Sequence, residues 1–212
     1  MSSSPRNSSL ATRVFLVRHG EVVNHGEFRY NGHIDIDITE RGLKQMEAVA
    51  ERLKDEPVKG IYSSGLVRTV KGAEEIARHH NIKPVSDERL KELSAGRWDG
   101  LTFAEVQERF PDEAHIRFED LVNYRIKEGE SLRDLEGRVI PALTDIIERH
   151  KGESAAIVAH GGVNRVILCN AMNLRLENFF RIEQDYGCLN IIDFYENTAV
   201  VKLINGILSE VL

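Results

Sequence analysis

FLVRHGE, residues 15–21, decides how the rest of the chain is read. Phe15, Leu16 and Val17 end a short apolar run that suits a buried strand. The run passes without a spacer into arginine, histidine and glycine. The pattern returns where Ala156-Ile157-Val158-Ala159 runs into His160-Gly161-Gly162. In open α/β sheets, ligands bind beyond the carboxyl ends of the strands. Two His-Gly pairs at such ends predict one crevice holding both histidines, provided the strands are neighbours.

The surrounding sequence supplies the alternation such a sheet needs. Thr39 caps a helix running to about Lys54, with Leu43, Met46, Val49, Ala50 and Leu53 on one face. A second strand spans Val58 to Tyr62, Ser63-Ser64-Gly65 turns the chain, and a helix follows from Leu66 to about His80. Pro84-Val85 reads as a short strand. Thr102 and Pro111 each start a short helix. Ser131 caps a long helix to about His150, in which Pro141 predicts a kink. A helix then follows Gly162, and a hairpin pairs Leu189 to Phe194 with Ala199 to Ile204. Strands alternating with helices predict an α/β fold around a largely parallel sheet, with the hairpin as an antiparallel edge. Residues 1–12 read as a flexible tail, residues 13–212 as a single domain, and residues 94–129 as a small helical cap over one end of the sheet.

Composition narrows the functional classes. A hydrophobic fraction of 42% with 29% charged residues suits a globular chain with a core. A net charge of −6 gives no footprint for nucleic acid or a membrane surface, and no apolar run reaches membrane-span length. The N-terminal stretch lacks the apolar core of a secretory signal. Cys169 and Cys188 have no metal-type spacing and read as buried reduced thiols, which predicts a cytoplasmic protein.

An anionic ligand would therefore need a local basic pocket, and the strand ends supply one. Arg18 follows the first strand, and the turn after Tyr62 leads to Arg68. Arginine forks suit phosphate oxygens. Gly20 and Gly161 let backbone N–H groups approach an anion, and Gly161-Gly162 opens a helix whose N-terminus favours negative charge. A neutral imidazole among arginines can attack phosphorus, while the second imidazole and the arginines stabilise the transferring group. Glu92, in LKELSAGRWDG, is the candidate proton donor to the leaving alcohol. The chain has no H-x-x-x-H or H-E-x-x-H pattern, and an arginine beside His19 would repel a cation, so no metal site is expected.

Taken in order, these residues resemble the histidine phosphatase superfamily, the phosphoglycerate mutase-like family. The anchors are Arg18-His19-Gly20-Glu21, Asn31-Gly32, Ile38 to Gly42, Ser63 to Thr69, Glu92 with Gly96 to Gly100, Gly129-Glu130-Ser131 and Ala159 to Gly162. The resemblance implies a three-layer α/β/α sandwich around a mainly parallel mixed sheet, with no cofactor. It implies His19 as nucleophile, Arg18, Arg68 and His160 as phosphoryl ligands, and Glu92 as proton donor and then base. Asn24 would be a further phosphate contact, and Asn31 and Gly32 would line the substrate side. Asn24 falls five residues after His19, where many members have asparagine at six. His25 holds that position here, and either residue could fill the role. The Gly96 to Thr102 stretch is similar to the phosphatase branch, including broad-specificity and α-ribazole phosphatases. The expected activity is hydrolysis of small-molecule phosphomonoesters. A phosphoglycerate mutase and a non-catalytic phosphate-binding module are the alternatives, and a homodimer is implied by resemblance alone. Trp98, Phe103, Phe118, Tyr124 and Tyr30 are read as core ahead of ring-stacking contacts. Gly72, inside a helix, has no reason in the sequence beyond close packing.

Overall fold

The computed structural model describes residues 11–27 and 29–208. The tail expected over residues 1–12 lies almost wholly outside them. Six strands form one mixed sheet in the order β3-β2-β4-β1-β5-β6. They are β1 (Thr12–Arg18), β2 (Val58–Ser63), β3 (Val85–Ser86), β4 (Ser154–Ala159), β5 (Leu189–Tyr195) and β6 (Thr198–Gly206). The pairs β1–β4, β4–β2 and β2–β3 are parallel, and β5 and β6 add the antiparallel edge.

The two central strands carry unbroken apolar runs, Val14 to Val17 in β1 and Ala155 to Ala159 in β4, because both faces are covered. Along β1, Phe15 and Val17 point to one face while Val14 and Leu16 point to the other, and all four are fully buried. Burial of side chains this size contributes roughly 1.5–3 kcal/mol each. Phe15 and Val17 meet α1 (Glu40–Leu53) and α2 (Val67–Ala77) through Met46, Val49, Leu53 and Ile76. Val14 and Leu16 share the opposite core with α5 (Leu132–Arg149) and α6 (Gly161–Ala171), through Leu135, Val139, Val163 and Ile167. This is the three-layer sandwich that the resemblance implied.

Helix boundaries follow their caps. The Thr39 hydroxyl accepts from the Gly42 N–H at the start of α1. Ser131 and Asp134 form a reciprocal capping box at the start of α5. α5 is one continuous helix through Pro141. Gly72 has a packing reason: a Cβ there would lie 2.6 Å from Met46 Sδ and 3.0 Å from Val158 Cγ1. Its absence lets α2 press against α1 and the sheet.

A third, smaller core of Ala95, Trp98, Val106, Ala114 and Ile126 holds together α3 (Phe103–Arg109), α4 (Pro111–Glu119) and the turns around them. Tyr30, from the loop after β1, packs on it, with its ring 5.5 Å from that of Trp98.

Candidate active site

The register of two strands brings the histidines together. Arg18, the last residue of β1, is paired with Ala159, the last residue of β4. One residue further on, the His19 N–H donates to the Ala159 carbonyl at 3.1 Å, and the two imidazoles stand edge to face with centroids 5.2 Å apart. His160 is fully buried and His19 almost so. β2 lies on the other side of β4, and its end delivers Ser64 and, one turn later, Arg68.

Hydrogen bonds set the tautomer of each ring. His19 Nδ1 lies 2.8 Å from the Gly20 carbonyl. A carbonyl only accepts, so Nδ1 carries the proton and Nε2 the lone pair. His160 is set the other way. Its Nδ1 accepts from Arg68 Nε at 3.3 Å, so Nε2–H donates to Ser64 Oγ at 2.8 Å. The Ser64 hydroxyl donates in turn to Thr69 Oγ1 at 2.9 Å, and Thr69 donates to the Leu66 carbonyl at 2.8 Å.

Burial, helped by neighbouring charge, keeps both rings neutral. Burial, then Arg18 and Arg68, holds the pKa of His19 well below 6.5. Burial, then Arg68, does the same for His160. The arginines face the same space. Arg68 donates to the carbonyls of Ile34 and Gly32 at 2.7 and 2.8 Å. Arg18 donates to the Gln184 carbonyl and lies over the Tyr186 ring at 4.0 Å, while its buried Nε has no partner. A buried donor without an acceptor is costly, and a phosphoryl oxygen would satisfy it.

Glu92 closes the group. Its Oε1 accepts from the Leu93 N–H at 2.8 Å and its Oε2 from the Gly162 N–H at 2.9 Å. A Cβ on residue 162 would lie 2.2 Å from Oε1, so the second glycine after His160 makes room for this carboxyl group. Gly20 has a comparable reason, because its Cβ would lie 2.2 Å from the Gly42 carbonyl oxygen.

All nine residues singled out in the sequence line one cavity of about 480 Å³: Arg18, His19, Asn24, Asn31, Gly32, Arg68, Glu92, His160 and Gly161. Asn24 and Asn31 exchange a reciprocal amide pair at 2.8 and 3.1 Å. His25 also lines the cavity, with Nδ1 on the Val22 carbonyl at 3.2 Å and Nε2 3.6 Å from Glu21. The aromatic residues divide. Trp98 is buried but, with Tyr30, also borders the cavity, Phe103 and Phe118 form an edge-to-face pair in its wall, and Tyr124 packs only on the third core. Sequence reasoning missed Ser64, Arg165, Gln184 and Tyr186. Arg165 follows Gly161 by one helical turn, a spacing that could have revealed it. The segment between α6 and β5, which includes a 3-10 turn at Leu176–Arg181, has no periodicity that would have marked Gln184 or Tyr186.

The model of the histidine phosphatase superfamily (branch 1) matches residues 14–206. The chain belongs to that superfamily. This histidine phosphatase is 31% identical over 193 residues to phosphoserine phosphatase 1 of Hydrogenobacter thermophilus, covering 91% of this chain and 92% of the relative. It is 38% identical over 171 residues to a metal-independent phosphoserine phosphatase of Arabidopsis thaliana, covering 78% of this chain and 71% of the relative. Among solved structures, YhfR of Bacillus stearothermophilus superposes with a TM-score of 0.85 at 28% identity, covering 94% of this chain and 98% of that one. Among the described residues, no helix is long and apolar enough to cross a membrane, and no group of three or more His, Cys, Asp or Glu is placed to hold a metal ion.

Proposed function

We propose that this histidine phosphatase hydrolyses small-molecule phosphomonoesters through a phosphohistidine on His19, without a metal. The observation that carries the reading is the His19 ring. Its proton is committed to the Gly20 carbonyl and burial keeps it neutral, so Nε2 keeps a free lone pair in a cavity that Arg18 and Arg68 also line. The relatives named for phosphoserine hydrolysis support the same reaction class.

Nε2 of His19 attacks phosphorus, and the bond to the ester oxygen breaks. Protonated Glu92 gives its proton to the leaving alkoxide, so the alcohol departs neutral. Glu92, now a carboxylate, takes a proton from water as the water oxygen attacks phosphorus. The P–N bond breaks, and His19 and the acid form of Glu92 are restored. Arg18 and Arg68 neutralise the phosphoryl oxygens throughout. His160 has committed Nε2–H to Ser64, so it can donate to a phosphoryl oxygen only through a protonated Nδ1, a state that a bound dianion favours. Asn24 and Asn31, locked together, border the substrate side.

A cytoplasmic setting fits the two buried free thiols Cys169 and Cys188, and a homodimer rests on family resemblance alone. The reaction is tested by brief exposure to a phosphodonor followed by mass spectrometry. Acid-labile phosphate should appear on His19. His19→Ala should lower turnover to less than about a hundredth while leaving the protein folded. Failure of both would overturn the reading.

A further inference from the structure

The carboxyl group of Glu92 is held by two backbone N–H groups, those of Leu93 and Gly162. The backbone that carries Glu92 is held by a different pair of residues. Arg138, from α5, spends every guanidinium donor on it or on the carboxylate that assists. Nη1 donates to the carbonyls of Arg89 and Lys91 at 2.8 and 2.6 Å, and Nη2 to that of Glu92 at 2.8 Å. Nε and Nη2 also form a fork on the two carboxylate oxygens of Glu130, each at 2.7 Å. Glu130 in turn accepts from the Ser94 N–H at 2.9 Å. His33, from the loop after β1, donates from Nε2 to the same Glu92 carbonyl at 2.8 Å.

The pair is itself firmly placed. The Glu130 N–H donates to the Ser94 carbonyl at 2.9 Å, and the Arg97 N–H to the Lys127 carbonyl at 3.1 Å. A Cβ on Gly129 would lie 2.5 Å from the Ser94 carbonyl oxygen, so glycine lets the two segments touch. The side chains of Arg138 and Glu130 are only 20% and 18% exposed. Burial works against the Glu130 carboxylate, but Arg138 and the Ser94 N–H outweigh it and hold the group below its ordinary 4.5. Neither residue lines the cavity, and neither has a part in the proposed reaction so far.

We propose that Arg138 and Glu130 act together as a positioning device for Glu92, fixing it for proton transfer to the leaving group. The proposal rests on the phosphatase reading and deepens it. A link between α5 and the neighbouring loop could attach anywhere along that loop. Here the contacts fall on Lys91, Glu92 and Ser94, on both sides of the proton donor. Anchored at those points, the carboxyl group meets the N–H of Gly162 on the helix that follows His160. A shift of about 1 Å in a catalytic group can cost on the order of a hundredfold in rate.

The test compares Arg138→Lys, which keeps the charge and gives up the fork, with Glu130→Gln, which keeps the shape and gives up the charge. Both weaken a buried pair, so urea unfolding is measured first and assays are run where each variant is fully folded. The readout is kcat/KM for p-nitrophenyl phosphate, phenyl phosphate and glycerol 3-phosphate, whose leaving groups need a proton increasingly. This ratio reports transfer to His19, ahead of the hydrolysis step common to all three. In Arg138→Lys it should fall about tenfold or more for glycerol 3-phosphate and less than about threefold for p-nitrophenyl phosphate. Glu130→Gln should repeat the pattern, and the double variant should lose no more than the worse single one, because the two residues act as a unit. Equal losses on all three esters, no loss on any, or losses that add in the double variant overturn the proposal. If Arg138→Lys does not fold, Glu130→Gln carries the same comparison. If neither folds, hydrogen exchange of the unaltered chain decides: the Ser94 N–H should exchange only through global unfolding, and exchange through local opening overturns the proposal. An unaltered chain that hydrolyses none of the esters fails the phosphatase reading, a result distinct from these losses, and takes the proposal with it.

Discussion

His160 Nε2–H donates to Ser64 Oγ at 2.8 Å, and both residues are fully buried. That contact, continued through Thr69 to the Leu66 carbonyl, is what turns Nδ1 of His160 toward Arg68. Ser64 touches no substrate in the proposed reaction, so it acts by positioning.

Ser64→Ala should therefore damage catalysis more than folding. It leaves a buried N–H without an acceptor, a loss of about 1–3 kcal/mol. Turnover should fall roughly tenfold, since 1.4 kcal/mol is one decade. Imidazole 15N shifts give a readout that a merely structural role would not move. They should place the His160 proton on Nε2 in the unaltered chain and on a mixture of nitrogens in Ser64→Ala. Finding the proton on Nδ1 in both would remove the basis for this role.

Gly162→Ala tests the placement of Glu92. The backbone of α6 accepts alanine there, but the new methyl would sit 2.2 Å from Glu92 Oε1, so the carboxyl group must move. Loss of a positioned general acid costs about 10²–10⁴-fold on substrates whose alkoxide needs a proton. Turnover of glycerol 3-phosphate should fall by at least about a hundredfold on that scale. p-Nitrophenyl phosphate releases a stable phenolate and should lose much less. Equal losses on the two substrates would point to collapse of the pocket and away from a displaced acid.

What the sequence made legible follows from period and position. The burial of β1 and β4 on both faces writes an unbroken apolar run, and the residue after such a run falls at the carboxyl edge of the sheet, which is why His19 and His160 could be paired before any coordinates. Thr39, Thr102 and Ser131 marked helix starts because a cap is a local, one-residue signal. Tyr186 and Gln184 escaped because they sit in irregular backbone between α6 and β5. Their place beside Arg18 depends on how β5 returns antiparallel to β1, which no local pattern records. Ser64 was legible only as part of a turn and of the family motif Ser63 to Thr69, with no role of its own, since its contact with His160 spans two strands. The role of Gly162 depends equally on a distant partner, Glu92.

Gly72→Ala opposes two effects of similar size. Alanine gains roughly 1 kcal/mol of helix propensity over glycine. Against that, its methyl would meet Met46 Sδ at 2.6 Å and Val158 Cγ1 at 3.0 Å. Overpacking of this kind costs typically 1–3 kcal/mol. Met46 can flex, but Val158 lies on the central strand β4 and is fully buried. The clash should win, with a net loss of about 1 kcal/mol in urea unfolding. A stabilised variant would mean that α1 and α2 separate more easily than their packing indicates.

The buried imidazoles also predict how stability responds to pH. Unfolded, His19 and His160 titrate near their ordinary 6.5; folded, burial and the neighbouring arginines hold both well below it. As pH falls through 6.5, the unfolded chain takes up protons that the folded chain does not, so stability must fall with it. Each group contributes up to about 1.4 kcal/mol per pH unit in that window. Paired carboxylates lose stability in the same direction, but the ordinary values for Asp and Glu are 3.8 and 4.5, so most of their effect comes at lower pH. Asp99, whose carboxyl group is pushed up to about 6 by burial, titrates within the window in the opposite sense and offsets part of the decline from the two imidazoles. Urea midpoints measured between pH 7.5 and 5.5 should therefore decline, with an unchanged m-value. His19→Gln removes one of the two titrations and should make the decline clearly shallower. If the slope is the same with and without His19, that ring is not held neutral, and His19 would lose the free lone pair that its proposed attack on phosphorus requires.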